Sequence, residues 1–493
     1  MSRKKLSRRQ FLQMGAATVG ATFLAGCVTT AGTGGQAPQA EAPKEEMAKT
    51  EAATEEAGEV AAAPAGAAAD IRFASFDWFA MVPGQKWDQY HQEEAIPSFK
   101  EEHPNVNILW EPHGDGWEDK VLTQMAAGTA PDIMSTWPPV INTWAEKAQL
   151  LDLQPLVDRD LPDADQIFFE SSWEQMRDPF TQIRMGMITG VDVTSVYYNK
   201  TAFEEAGVPL PTADWTVDQY TEAAVALTQK DSNGQVTRWG GQLRPDFVLG
   251  YFYYVEAFGG MVRDDDTQMT CLLGEPAAQE ALEWIRQGMW DLNCFGQNNQ
   301  INATGIPNTW TGVLPAGIVA FAERSADQFF DLAASMEAGT WDINHVPKGP
   351  QDQACMGAPD CWAVYKGVVD RGNQEAVWEY VKWMAAGDYY QENIATKAGR
   401  IPGLLSAAEK WPSILRTLEP KLEQVQLEVV IDQLKTGEAR GPQLFRYQRV
   451  AEELIVPAME QIFVEGVAPV NTLQEVALKV TEAQKEALAR AGG

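Results

Sequence analysis

The sequence predicts an α/β protein of two lobes with a helical C-terminal region. Three observations predict it. Strand-like and helix-like segments alternate from residue 71 onward. The part with globular composition, roughly 420 residues, exceeds the size at which a single core stops growing. From Gln374 the apolar pattern is almost wholly helical.

The chain ahead of that body is of another kind. Its first nine residues include Arg3, Lys4, Lys5, Arg8 and Arg9 and no acid, and an apolar run extends from Phe11 to Leu24. The run is too short to span a bilayer, which takes about 20 residues. A basic flank, a short apolar stretch and small residues before a processing point make an export signal over residues 1–26. SRRQFLQM resembles a twin-arginine export motif, and LAGC resembles a bacterial lipobox, which implies cleavage before Cys27 and acylation of Cys27. Residues 27–69 hold no aromatic side chain and are rich in Ala, Gly, Pro, Thr and Glu. Such a segment cannot offset its chain entropy by burial, so it is expected to be a tether with a reach of about 35 Å.

Within the body, IRFASF (71–76) has strand character. A helix through Lys86–His103 stops at Pro104. NVNILW is the next strand, Glu118–Ala127 the next helix, and PDIMST the strand after Gly128. The order is that of a parallel α/β sheet. IRMGMI (183–188) and SVYYN (195–199) read as two further strands. Thr216 and Gln219 stand at capping-box spacing before a helix. Pro276 suits the first turn of a helix with Ala278, Leu282, Ile285 and Met289 on one stripe. WDINHV and CWAVY are later strands, and Asn471 can cap the last helix.

The net charge of −31 disfavours nucleic acid and anionic membrane surfaces as partners. No GxSxG, HExxH, P-loop or dinucleotide fingerprint is present, and the four histidines are scattered. Four cysteines lie beyond Cys27. Outside the cytoplasm they are candidate disulfide partners, with three connectivities open and Cys271–Cys294 plus Cys355–Cys361 the sequence-local choice. Tryptophan is abundant, 17 residues. Trp78, Trp137, Trp239 and Trp362 fall at expected strand-to-loop transitions, where open α/β sheets bind ligands and where indole faces suit sugars.

Several stretches together resemble the extracellular solute-binding proteins of ABC importers, in the sugar-binding group that includes maltose-binding proteins. They are IPSFKEEHPNVNI, LTQMAAGTAPDIM, YYNKTAFEEAGVPLPTADWTVDQY, AGIVAF, VPKGP, AVWEYVKWMAAG, AGRIP and GVAPVNTLQEVAL, in the family's order from about residue 71 to residue 490. The resemblance implies a type II periplasmic-binding-protein-like fold, two hinge-joined lobes with a ligand cleft. Lobe one would be residues 70–190 plus 345–398, and lobe two residues 193–343 plus 402–493. It implies a non-enzymatic monomer, anchored outside the cytoplasm by lipid, that closes on a carbohydrate and delivers it to the importer's permease without cofactor or metal. The cleft residues so implied are Asp77, Trp78, Thr136, Trp137, Asp192, Gln242, Arg244, Trp310, Arg324 and Trp362. The family often carries a Trp just after the AGIVAF-like strand; AERSADQF lacks it, and Arg324 stands there as a polar contact. The alternatives are a receptor for a polyamine or phosphorylated polyol, or a glycan-degrading enzyme, which turnover would separate from a receptor.

Overall fold

The computed structural model describes residues 69–76, 81–244, 250–306, 312–327 and 329–491. These belong to one compact unit. Eleven strands form a single mixed sheet: β1 Ala69–Ser75, β2 Val106–Pro112, β3 Ile133–Thr136, β4 Gly186–Asn199, β5 Gln229–Lys230, β6 Val236–Gln242, β7 Val319–Ser325, β8 Trp341–Asn344, β9 Cys355–Val364, β10 Ile401–Pro402 and β11 Ala439–Arg440. Their main path runs β2-β1-β3-β9-β4-β7-β6-β5.

On that path the expected parallel order holds where β1 pairs β2 and β3 and where β6 pairs β7, whereas β5 at the far edge is antiparallel to β6. The centre is antiparallel, because β4 and β9 run against their neighbours. IRMGMI and SVYYN are also one strand rather than two. The intervening TGVDVT is rich in Thr and Val, which suit extended backbone, and a register shift between Ile188 and Gly190 absorbs the irregularity. β4 changes partners along its length. Gly186–Val193 pairs with β9, whereas Thr194–Asn199 pairs with β7 and β8. β10 lies antiparallel to β4 at Gly190 and Val191, so two passages of the chain run side by side where β4 changes partners.

Local signals place the helices. The helix expected before Pro104 runs from Trp87 to Glu102, with one π turn at His91–Ala95. His91 is buried and stacks on Trp110 at 4.5 Å. Thr216 and Gln219 form the full capping box, and Pro276 opens its helix. Gly240 shows how closely the layers meet: a Cβ there would lie 1.9 Å from the Ala224 carbonyl oxygen of the covering helix. No helix among the described residues is long and apolar enough to cross a membrane.

The disulfide expectation is overturned. Cys271, Cys294, Cys355 and Cys361 are free and buried. Cys355 and Cys361 lie on the one strand β9, and six residues of strand separate them by about 20 Å, far beyond disulfide reach. Cys271 precedes the helix Pro276–Arg286 and Cys294 follows the π turn at its far end. Burial pushes the Cys271 thiol up to about 11 and the Cys294 thiol to about 12. All four should resist a thiol reagent in the native chain and react on denaturation without reductant. A bridged peptide in a non-reducing digest would contradict this.

Candidate functional site

Where β4 exchanges β9 for β7, its one partly exposed position between Gly186 and Tyr198 is Asp192. Strands and their ends carry charge toward it. β7 brings Glu323, Arg324 and Ser325, the end of β6 brings Gln242 and then Arg244, β9 brings Asp360, and Arg400 precedes β10.

The contacts form a knot. The Arg244 guanidinium donates to Thr194 Oγ1 at 2.7 Å and Ser325 Oγ at 3.1 Å, and lies 3.8 Å from Asp192 Oδ2. Ser325 donates to the same Asp192 oxygen at 2.8 Å. The Arg244 backbone N–H donates to Glu323 at 3.1 Å, and Tyr254 donates to that carboxylate as well. Arg324 donates to the Glu323 carbonyl at 2.6 Å and to the Gln242 side chain. Arg400 faces Asp360 at 3.7 Å and Asp327 at 3.8 Å.

Burial sets the protonation of this knot. It raises the Asp192 carboxyl against the pull of Arg244. It pushes Asp360 up to about 6 and Glu323 up to about 7, and it lowers the Arg324 guanidinium to about 10. Burial works against Arg400 too, but Asp360, Asp327 and Asp192 outweigh it and raise that group.

A second feature is a cavity of about 290 Å³. Its walls are the helix Trp117–Ala126 (Glu118, Asp119, Leu122), the segment from Trp137 into the helix Pro138–Glu146, and the helix Gln448–Met459 (Gln448, Arg449, Glu452). Trp137 precedes its helix in extended conformation and is half-buried. Arg449 crosses to Asp119 at 2.8 Å, joining segments 330 residues apart.

The structure therefore brings Asp192, Gln242, Arg244 and Arg324 together and puts Trp137 on a cavity wall. It corrects two expectations. Trp362 is 1% exposed and meets Phe73 edge-on at 5.1 Å. The inward face of β9 carries it into the core rather than to a cleft edge. Thr136 is fully buried on β3 for the same reason. Asp77, Trp78, Trp310 and Cys27 lie outside the described residues. Sequence reasoning missed Glu323, Ser325, Asp360 and Arg400. Glu323-Arg324-Ser325 directly follows AGIVAF and Ala322, and three polar residues in a row at the end of an apolar strand were the available signal. Glu118 and Glu452 carried no local signal.

The model of the bacterial extracellular solute-binding protein family matches residues 81–389, more than half of the chain, and the chain belongs to that family. Solved structures share its fold. The sugar-binding protein MalE from Xanthomonas citri aligns with a TM-score of 0.69 at 16% identity, covering 85% of this chain and 98% of that one. An ABC substrate-binding protein from Listeria monocytogenes, in complex with cycloalternan, aligns at 0.66 and 18% identity, covering 85% and 99%. UgpB from Mycobacterium tuberculosis, in complex with glycerophosphocholine, aligns at 0.62 and 18%, covering 86% and 99%. The architecture is accordingly the two-lobed type II binding-protein fold.

Two predictions follow from the knot. Arg244→Ala removes the nearest cation from the largely buried Asp192 carboxylate and leaves it Ser325 and the field of Arg400, and urea unfolding should show a loss of about 3 kcal/mol. The second concerns pH. Glu323, Asp360 and Glu256 (pushed up to about 7 by burial) keep protons in the folded state that the unfolded state has released. Their contribution is complete below about pH 4 and is lost as the pH rises to about 7. The urea midpoint should fall over that window, and Glu323→Gln should flatten part of the fall.

Proposed function

We propose that this chain is the carbohydrate receptor of an ABC importer, held outside the cytoplasm by a lipid on Cys27 and catalysing no reaction. The lobes are the two residue sets expected from sequence, joined where β4 changes partners. Solute binding draws the lobes together, and the gain is its differential affinity for the closed form. The closed pair of lobes is what the permease recognises, and the receptor works as a monomer.

The observation that carries this reading is the Trp137 cavity. A half-buried indole lies beside carboxylate, amide and hydroxyl groups (Glu118, Glu452, Gln448, Thr143) on helices from opposite ends of the chain. An aromatic face with polar groups around it matches a pyranose, whose C–H face stacks while its hydroxyls hydrogen-bond. The knot of Asp192, Gln242, Arg244 and Arg324 supplies further polar groups where β4 changes partners.

A thermal-shift panel of mono- and oligosaccharides tests the reading. A bound sugar at 100 times its dissociation constant should stabilise the chain by about 2.7 kcal/mol. Trp137→Ala should abolish that shift, each variant being referred to its own ligand-free melting temperature because Trp137 also packs on the core. Recovery of the glycan intact separates a receptor from a glycan-degrading enzyme. A shift with an amine or a phosphate ester and with no sugar would refute the carbohydrate assignment.

A further inference from the structure

We infer that the cavity ranks its solutes by charge, amine-bearing glycans above neutral ones and neutral ones above anionic ones, with Glu118 and Glu452 as the determinants. This rests on reading the Trp137 cavity as the solute site.

The cavity wall carries three carboxylates, Glu118, Asp119 and Glu452, and one cation, Arg449. Arg449 is already engaged, since its Nη2 donates to Asp119 at 2.8 Å. Glu452 accepts a hydrogen bond from the uncharged Gln448 amide at 2.9 Å and has no ion pair among the described residues. Glu118 has no ion pair among them either. Arg449 also lies in the field of Glu118 and Glu452, so an entering solute meets three carboxylates balanced by a single cation.

Among the described residues, the following cations are turned elsewhere. Lys120 lies about 150° around its helix from the positions that face the cavity, at 100° per residue. Arg446 is stacked over Phe180 at 4.2 Å. In the knot, Arg244 is held by Thr194, Ser325 and Asp192, Arg324 by Glu323 and Gln242, and Arg400 by Asp327 and Asp360. Three internal segments outside the described residues bear on the charge through their composition. DWFA (77–80), PDFVL (245–249) and PNTWT (307–311) contain two aspartates and no Lys, Arg or His. Whatever their placement, they add no cation.

The chemistry follows. A phosphate or carboxylate is received by a guanidinium, often bidentately, and the one on this wall, Arg449, is already shared among Asp119, Glu118 and Glu452. It would instead meet Glu118 and Glu452 in a partly desolvated space, where like charges repel more strongly than in water. A primary ammonium has three donors for those carboxylates and is attracted to the Trp137 face. A neutral sugar gains the ring contact and hydrogen bonds alone.

Calorimetric titration of the full chain with three classes of probe tests this. The neutral class is malto-, cello-, manno- and N-acetylglucosamine oligomers, the cationic class glucosamine oligomers, and the anionic class galacturonate oligomers with glycerol 3-phosphate. The best cationic probe should bind about tenfold more tightly than the best neutral one, and the anionic probes at least a hundredfold more weakly than the neutral one. Raising the salt to about 0.5 M should narrow both gaps. The double variant E118Q/E452Q should narrow the span from cationic to anionic at least tenfold. An anionic probe within tenfold of the best neutral one, a neutral probe above every cationic one, or a span unmoved by both salt and the double variant would overturn the inference and leave the carbohydrate reading standing. No binding by any glycan would bring down both.

Discussion

Burying a carboxylate is costly unless a cation and hydrogen-bond donors meet it, and the centre of this molecule is organised around one such carboxylate. Asp192 sits where β4 leaves β9 for β7. Its offset is Arg244, which arrives from beyond β6, and Ser325, the last residue of β7. Those three groups coincide only when β4, β6 and β7 are all in register. The pairing thus ties the sheet on one side of the switch to the passage leading to the other side. The same Arg244 places its backbone N–H on Glu323, so one residue anchors two carboxylates.

β4 sets the stage for that arrangement. β4 is paired along its edges by β9 and then by β7 and β8, and the helices Glu170–Gln175, Gln374–Ala386 and Glu428–Thr436 pack on it, so its burial is nearly unbroken. Its partly exposed exception, Asp192, falls at the change of partner. β10 lies against β4 beside that point, with Arg400 just ahead of it and Asp360 opposite Gly190 in the β9 ladder. In a hinged two-lobed fold, the passages between lobes absorb the backbone rotation of closure. Here the segments at the change of partner are surrounded by paired charge, so any displacement there has to preserve or re-form ion pairs in a low-dielectric setting.

Much of the architecture was legible along the chain, and the reason is local. Pro104 stops a helix by steric exclusion, Thr216 and Gln219 cap one by mutual hydrogen bonds, and Pro276 starts one with its preset φ. Asp192, Gln242, Arg244 and Arg324 were named from the family resemblance, and the structure brings these four side chains together. What failed did so for non-local reasons. Trp362 stands near a strand end as Trp137 does near another, yet one is core and the other lines a cavity, because the facing direction depends on the register of β9 against β3 and β4. The cysteine count suggested bridges, but Cys355 and Cys361 share one extended strand, a fact visible only once β9 was found to begin at Cys355 rather than Cys361.

The sequence by itself determined the order of helices and strands, their caps and stops, the excess of negative charge, and the ordered motifs of an extracellular solute-binding protein. Each of these depends on residues within a few positions of one another, or on simple sums over the chain. Only the tertiary structure decided that β4 is one strand shared between two sets of partners, that the sheet is mixed, that the cysteines stay apart, and that Glu118 and Glu452 face a common cavity. Those outcomes depend on which distant segments are packed together, and burial, pairing and charge compensation are properties of the packed neighbours rather than of any single stretch of chain.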